Sequence, residues 1–227
     1  MLDSIWGILK VFDKHSLWDD GVELIGSWCF QLYQKHFGVK SYPFRTQDID
    51  FLIPIPFLSK KNVNLIEELE KLGYKFSFHH DGNGYLWNSE IKIEFIAPQK
   101  GKGDEQFIII KPLSIRAVPL RFVDMLLNEP VYVVEDGIRV KIPNPAAFCL
   151  HKIIISSRRK SADKTEKDME QAIHTFKAAD KKKIKQLFLK FPKTWQKTIL
   201  QNLQSSKEYL PMVTAEIDDI LFTLRSH

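Results

Sequence analysis

The run Asp48-Ile49-Asp50-Phe51-Leu52-Ile53 constrains the chain more than any other stretch. Its β-branched and aromatic residues predict a strand. Strand side chains alternate between faces, so Asp48 and Asp50 share one face and Ile49 and Phe51 the other. Pro54 and Pro56 end the run. At a separation of about 4 Å and an effective dielectric near 20, two like charges repel by roughly 4 kcal/mol, so a doubly anionic strand face calls for a compensating cation. Carboxylate oxygens suit Mg²⁺. Upstream, the apolar run Val22 to Ile25 ends at Gly26-Ser27, where a helix is predicted to begin. Glycine lets backbone approach a phosphate closely, and a serine hydroxyl with the free N–H groups of a helix start binds phosphate oxygens.

A third acid is predicted from Ile91-Lys92-Ile93-Glu94-Phe95-Ile96. Ile93 and Phe95 take one face of this strand, leaving Glu94 on the face of Lys92 and Ile96. If the strand lies beside the Asp48–Asp50 strand, three carboxylates converge. Such a set holds one or two Mg²⁺ ions about 3.5–4 Å apart, the arrangement used for in-line phosphoryl and nucleotidyl displacement. Each residue also has a plainer reading. Asp48 suits a helix or a turn, Asp50 an edge strand guarded against aggregation, and Glu94 an exposed strand position. Arg45 and Thr46, just ahead of the strand, either assist phosphate binding and orient Asp48 or are purely structural. In His79-His80-Asp81 the adjacent histidines point to opposite faces, which favours the start of a turn over a metal cluster. Trp28, Phe30, Tyr33 and Phe37 read as core packing. No Gly-rich P-loop, Ser-His-Asp order or zinc-type Cys/His spacing occurs.

The pattern along the chain changes near residue 144. Before it, helices (Leu2 to Phe12, Trp28 to Phe37, Asn62 to Leu72) alternate with short strands (Asp48 to Ile53, Tyr74 to Phe78, Tyr85 to Trp87, Ile91 to Ile96). Val131 to Val134 and Ile138 to Ile142 flank Asp136-Gly137 as a hairpin. After Pro143-Asn144-Pro145 helices dominate, with Asn144 as a cap and Pro145 at the first helical position. They are predicted from Ala146 to Ser156, Ala162 to Lys177, Lys181 to Leu189, Pro192 to Leu203 and Tyr209 to Leu224. The expected architecture is α+β: a mixed sheet flanked by helices over residues 1–143, then a helical domain over 144–227. The hydrophobic fraction of 44% and charged fraction of 27% are ordinary for a soluble protein. With no long apolar run and no secretion signal, a cytoplasmic location without membrane contact is expected. Cys29 and Cys149 read as buried thiols, not a disulfide. Residues 1–150 carry 17 Lys+Arg against 19 Asp+Glu, and residues 151–227 carry 16 against 9, so the basic excess lies in the C-terminal third. That asymmetry suits either a polyanion such as RNA or a solvated lysine-rich helix face, notably at Lys181-Lys182-Lys183.

Taken together, Ile25-Gly26-Ser27, Asp48-Ile49-Asp50 and Glu94 resemble the signature of the DNA polymerase beta-like nucleotidyltransferase superfamily: an apolar residue, Gly, Gly or Ser, a spacer, Asp-x-Asp, and an acid on a later strand. The surrounding residues, Leu24 to Phe30 and Arg45 to Ile53, look like bacterial standalone nucleotidyltransferase-like proteins, related to abortive-infection and toxin-type members. The spacer of 20 residues between Ser27 and Asp48 is longer than the superfamily's minimal ones. The resemblance implies a nucleotidyltransferase-type fold, Mg²⁺ or Mn²⁺ held by Asp48, Asp50 and Glu94, and Gly26 and Ser27 on the phosphates of an NTP such as ATP. It also implies transfer of a nucleoside monophosphate to a hydroxyl on RNA, protein or a small molecule, with an antitoxin or another protein as partner.

A second stretch, Pro145-x-x-Phe148-x-Leu150-His151-Lys152 followed by Arg158, Lys164 and Lys167-Asp168, resembles the segment after the catalytic domain in these proteins, where basic residues face the nucleotide. Lys152 and Arg158 would then meet the triphosphate as cations. Lys164 and Asp168, four apart, share a helix face and serve equally well as a surface ion pair. A nucleotide-binding regulator without turnover and a nucleic-acid-binding module with structural acids are the other function classes the sequence allows.

Overall fold

The computed structural model describes residues 2–40, 46–59, 61–99, 101, 103 and 105–226. The chain divides into two compact units, residues 1–31 with 43–143 and residues 32–42 with 144–227.

The first unit is built on a mixed sheet. Helix α1 (Leu2–Lys14) precedes strand β1 (Glu23–Ile25), helix α2 (Gly26–His36), and strand β2 (Asp48–Leu52). Helix α3 (Leu65–Glu70) leads to β3 (Lys75–Phe78), β4 (Gly84–Trp87) and β5 (Lys92–Pro98). Strands β6 (Ile108–Ile110) and β7 (Ile115–Leu120) follow, then the separate hairpin of β8 (Val131–Glu135) and β9 (Ile138–Ile142). The sheet order is β1-β2-β5-β4-β3. β2 and β5 are parallel, while β1–β2, β3–β4 and β4–β5 are antiparallel. The second half of β5 pairs with β7, itself paired with β6. One sheet face is packed on aromatic residues: the Phe12 and Phe51 rings stack with centroids 3.9 Å apart, and Trp18 lies 5.3 Å from Phe12.

Sequence expectation and structure differ in three places. The helix expected over Asn62 to Leu72 is shorter, because the Asn64 side chain accepts from Glu67 N–H and so caps a helix starting at Leu65. β6 and β7 lie in a stretch where no strand was expected, since three consecutive isoleucines show no alternation and Pro119 falls inside β7. Tyr209 belongs to the helix before it, and the last helix begins only at Thr214.

The second unit is helical: α4 (Pro145–Ser156), α5 (Ala162–Ala178), α6 (Lys181–Lys190), α7 (Lys193–Tyr209) and α8 (Thr214–Arg225). Asn144 caps α4 through Ala146 N–H, 3.0 Å away. Its central helix α4 is buried almost throughout, with Phe148 set edge-on to Tyr33 at 5.0 Å. Cys149 and Cys29, the latter in α2, are both buried and form no disulfide. Several lysines of the basic third face acids of α8: Lys177 reaches Glu216, Lys181 Asp219 and Lys207 Asp218. Part of the positive excess is therefore neutralised within the unit.

A buried ion pair joins α4 to α5. Lys152 Nζ donates to Asp168 Oδ1 at 2.6 Å, and Arg159 donates to Asp168 Oδ2. Burial by itself would raise the Asp168 carboxyl, but the Lys152 and Arg159 charges outweigh it and hold it below the usual carboxylate range. Asp168→Asn should therefore cost about 3–5 kcal/mol in urea denaturation, because it strands a buried ammonium. Replacing the pair together (Lys152→Met with Asp168→Leu) should recover most of that loss. A single variant as stable as the parent would contradict the assignment of this pair as a structural tie.

Candidate active site

The parallel register sets Asp50 opposite Glu94 and Asp48 opposite Lys92. Residues opposite one another on neighbouring strands point to the same face. Asp48, Asp50, Lys92 and Glu94 thus form one ionisable block. On the reverse face Ile49, Phe51, Ile93 and Phe95 are at most 1% exposed. Thr46 steadies the start of β2, its hydroxyl donating to Asp48 O at 3.2 Å and accepting from Asp48 N–H at 3.3 Å. Lys92 N–H donates to Gln47 O at 2.7 Å, fixing the same end of β5.

β1 brings the Gly26-Ser27 step to this block, since Ile25 is the register partner of Asp50. Gly26 begins α2 with φ +69°, and a Cβ there would overlap the Asp50 carboxylate. Glycine is needed both for the turn and for the close approach. No acid stands in the first turn of α2, so the positive end of its dipole is uncompensated by its own side chains.

Lys92 Nζ lies 3.4 Å from Asp48 Oδ1 and 3.1 Å from Glu94 Oε2. Burial would lower its amine, but the Glu94 and Asp48 carboxylates prevail and raise it, so it stays charged. Three carboxylates and one ammonium give the block a charge of −2. Among the described residues no three His, Cys, Asp or Glu side chains stand close enough to enclose a metal ion as they lie. The donor set nonetheless fits a divalent cation in kind: hard oxygens, on one sheet face, with a net charge that one such ion would cancel.

On its other side Glu94 meets the β3–β4 turn. His79 Nε2 lies 3.3 Å from Glu94 Oε1, and the imidazole stacks on Tyr85 with centroids 4.2 Å apart. The turn is closed by His79 N–H donating to Asn83 O at 2.8 Å. Arg116 of β7 holds it down, with its guanidinium between the Phe78 and Phe107 rings and Nη1 donating to Gly82 O at 3.2 Å. His79, Lys92 and Arg116 escaped the sequence reading of the site. The alternation that places Glu94 beside Lys92 was a usable signal for the lysine. Nothing local marks Arg116, which acts across 34 residues.

Of the other predicted site residues, Arg45 lies outside the described residues. Lys152, Arg158, Lys164 and Asp168 belong to the second unit. There Lys164 is exposed, and Asp168 turns to Lys152 and Arg159, so the surface pair with Lys164 that the spacing allowed is not formed.

Residues 4–197 match a family model described as nucleotidyltransferase. The chain belongs to this nucleotidyltransferase family. It is an enzyme of mixed α/β fold with a helical C-terminal part. Among solved structures it is similar to an antigenic nucleotidyltransferase-like protein from Paracoccidioides brasiliensis, at 11% identity over 93% of this chain and 92% of that one, with a TM-score of 0.47. It is also similar to the antibiotic-resistance factor ANT(2'')-Ia, at 14% identity over 82% of this chain and 87% of that one, with a TM-score of 0.45. No curated protein matches the chain. Among the described residues no helix is long and apolar enough to cross a membrane.

One more acid of the nucleotidyltransferase stands near the Gly26 turn. Glu23 of β1 is 1% exposed, and its Oε2 has no hydrogen-bond partner among the described residues. Burial pushes its carboxyl from the usual 4.5 up to about 8, against a lowering influence of Lys141. The folded state therefore keeps a proton that the unfolded chain releases near pH 4.5. This contribution to stability is complete below that pH and fades as the pH rises to about 8. Thermal unfolding from pH 5 to 8.5 should show a falling Tm, and Glu23→Gln should flatten the decline; an unchanged slope would refute the buried proton. Gly26→Ala should lower Tm by about 2–8 °C through the left-handed backbone. By displacing Asp50 it should also cut nucleotidyl transfer by at least about 100-fold.

Proposed function

We propose that the enzyme transfers a nucleoside monophosphate from an NTP to an acceptor hydroxyl and releases pyrophosphate. The observation that carries this reading is the in-register placement of Asp50 and Glu94, with Asp48 on the same face and the Gly26-Ser27 turn against Asp50. In this reading Gly26, Ser27 and the start of α2 bind the β- and γ-phosphates of the NTP. Asp48, Asp50 and Glu94 hold Mg²⁺ or Mn²⁺, which when bound would polarise the α-phosphate and neutralise the leaving pyrophosphate. Glu94 also accepts the proton of the acceptor hydroxyl. The acceptor oxygen bonds to the α-phosphorus as the bond from that phosphorus to the bridging oxygen breaks, and pyrophosphate leaves with the electron pair. Thr46 positions Asp48 through its backbone. Lys152 and Asp168 act as a structural pair, and Arg158 and Lys164 are further cations of the second unit.

The test is incubation with each α-labelled NTP, Mg²⁺ and a cell extract, followed by fractionation into RNA, protein and small molecules. Label should enter one fraction, need the divalent ion, and fall by at least about 1,000-fold in Asp50→Asn. Equal labelling by the parent and the Asp50→Asn variant would refute the assignment.

A further inference from the structure

Both carboxylate oxygens of Glu94 are engaged, and from different sides. Oε1 lies 3.3 Å from His79 Nε2 of the β3–β4 turn, whereas Oε2 lies 3.1 Å from Lys92 Nζ. The same ammonium is 3.4 Å from Asp48 Oδ1, so it ties β5 to β2 on the face that the three acids share. Its backbone is fixed, because Lys92 N–H donates to Gln47 O, but the side chain is 31% exposed on a flexible four-carbon stem. Asp50 has less room, since the Gly26 turn is packed against its carboxylate. As they lie, no three acidic, histidine or cysteine side chains among the described residues enclose a metal ion. To share an ion with Asp50, Asp48 and Glu94 must present the oxygens that Lys92 holds, because the other oxygen of Glu94 is turned to His79.

Resting on the reading above that Asp48, Asp50 and Glu94 hold a divalent ion, we propose that Lys92 is a resident cation of this face. It neutralises and spaces Asp48 and Glu94 until the ion arrives, and the ion binds only in exchange for it. Three carboxylates on one sheet face repel, and the ammonium lowers their summed charge from −3 to −2. Contacts as exposed as these are individually weak, which keeps the exchange reversible. A neutral side chain at position 92 removes the competitor and restores a full negative charge, so the metal should bind more tightly. The same change leaves the acids without a counter-charge when no metal is present. Arginine keeps the charge and its planar fork holds carboxylates in two-point contacts, so it competes at least as well as lysine.

The probe is Mn²⁺ alone, titrated into the full chain and followed by the EPR signal of the free ion. Lys92→Met should lower the Kd for Mn²⁺ by about tenfold, Lys92→Arg should leave it equal or raise it, and Asp50→Asn should raise it. With a chelator present Lys92→Met should melt below the parent, and saturating Mn²⁺ should close that gap. In the parent chain, displacement is read directly by acetylating lysines with an amine-reactive ester and locating them by mass spectrometry. Labelling of Lys92, relative to the exposed Lys197, should rise at least about threefold when Mg²⁺ is added. Lys92 labelling unmoved by Mg²⁺, or a Lys92→Met variant that binds Mn²⁺ no more tightly than the parent, would overturn the proposal. If Asp50→Asn still weakened Mn²⁺ binding, the metal site would stand and only the role of Lys92 would fall. If the parent and Asp50→Asn bound Mn²⁺ alike, the metal reading would fail and the role of Lys92 with it.

Discussion

Parallel pairing of β2 with β5 is the constraint on which the rest of the first unit depends. Ile49, Phe51, Ile93 and Phe95 are buried on one face, each contributing about 2–3 kcal/mol. A slip of β2 by one residue would expose Ile49 and Phe51 and bury Asp48 and Asp50, and the same slip of β5 would expose Ile93 and Phe95 and bury Glu94. Hydrophobic burial of roughly 10 kcal/mol thus exceeds the few kcal/mol of repulsion among the three acids that it brings together. The acids meet because their neighbours must be buried, and Lys92 relieves part of the resulting strain.

The surrounding parts are held with unequal firmness. Gly26 sits between a strand and a helix, where its left-handed turn and the proximity of Asp50 leave no room for a side chain. Residues 79–83 form a turn whose position depends on side chains from elsewhere: Arg116, Phe107 and Tyr85. The carboxylates are placed by strand register, whereas the turn is placed by side chains packed on it.

The legible parts of the fold were those with a local signature. Alternation in Asp48 to Ile53 and Ile91 to Ile96 identified two strands and the face of each acid, and Asn144-Pro145 marked the start of α4. β6 and β7 were not legible: Ile108-Ile109-Ile110 has no period, and β7 contains a proline. The adjacency of β2 and β5 is a long-range property, which the sequence reading could pose only as a condition. His79 was read by its neighbours in a turn, but its contact with Glu94 arises from the order β3-β4-β5, which no local pattern encodes. Lys164 and Asp168 share a helix face by spacing, yet spacing does not say which face is buried. Burial of Asp168 against α4 decided its partner.

Two lysine–carboxylate groups that look alike in sequence do different work because their surroundings differ. The Lys152 and Asp168 side chains are 6% and 5% exposed, so separating them would leave a bare charge away from water. In the β2–β5 block the Lys92, Glu94 and Asp48 side chains are 31%, 22% and 48% exposed, and water screens each partner when the other moves. The first pair is therefore fixed, whereas the second is exchangeable. If Asp48, Asp50 and Glu94 hold a divalent ion as proposed, the Lys92 ammonium would give up its place at Asp48 and Glu94, and it could swing out at small cost. With the same acids under 5% exposed, that exchange would be prohibitive, so partial exposure of the acidic face is itself a requirement of the proposed chemistry.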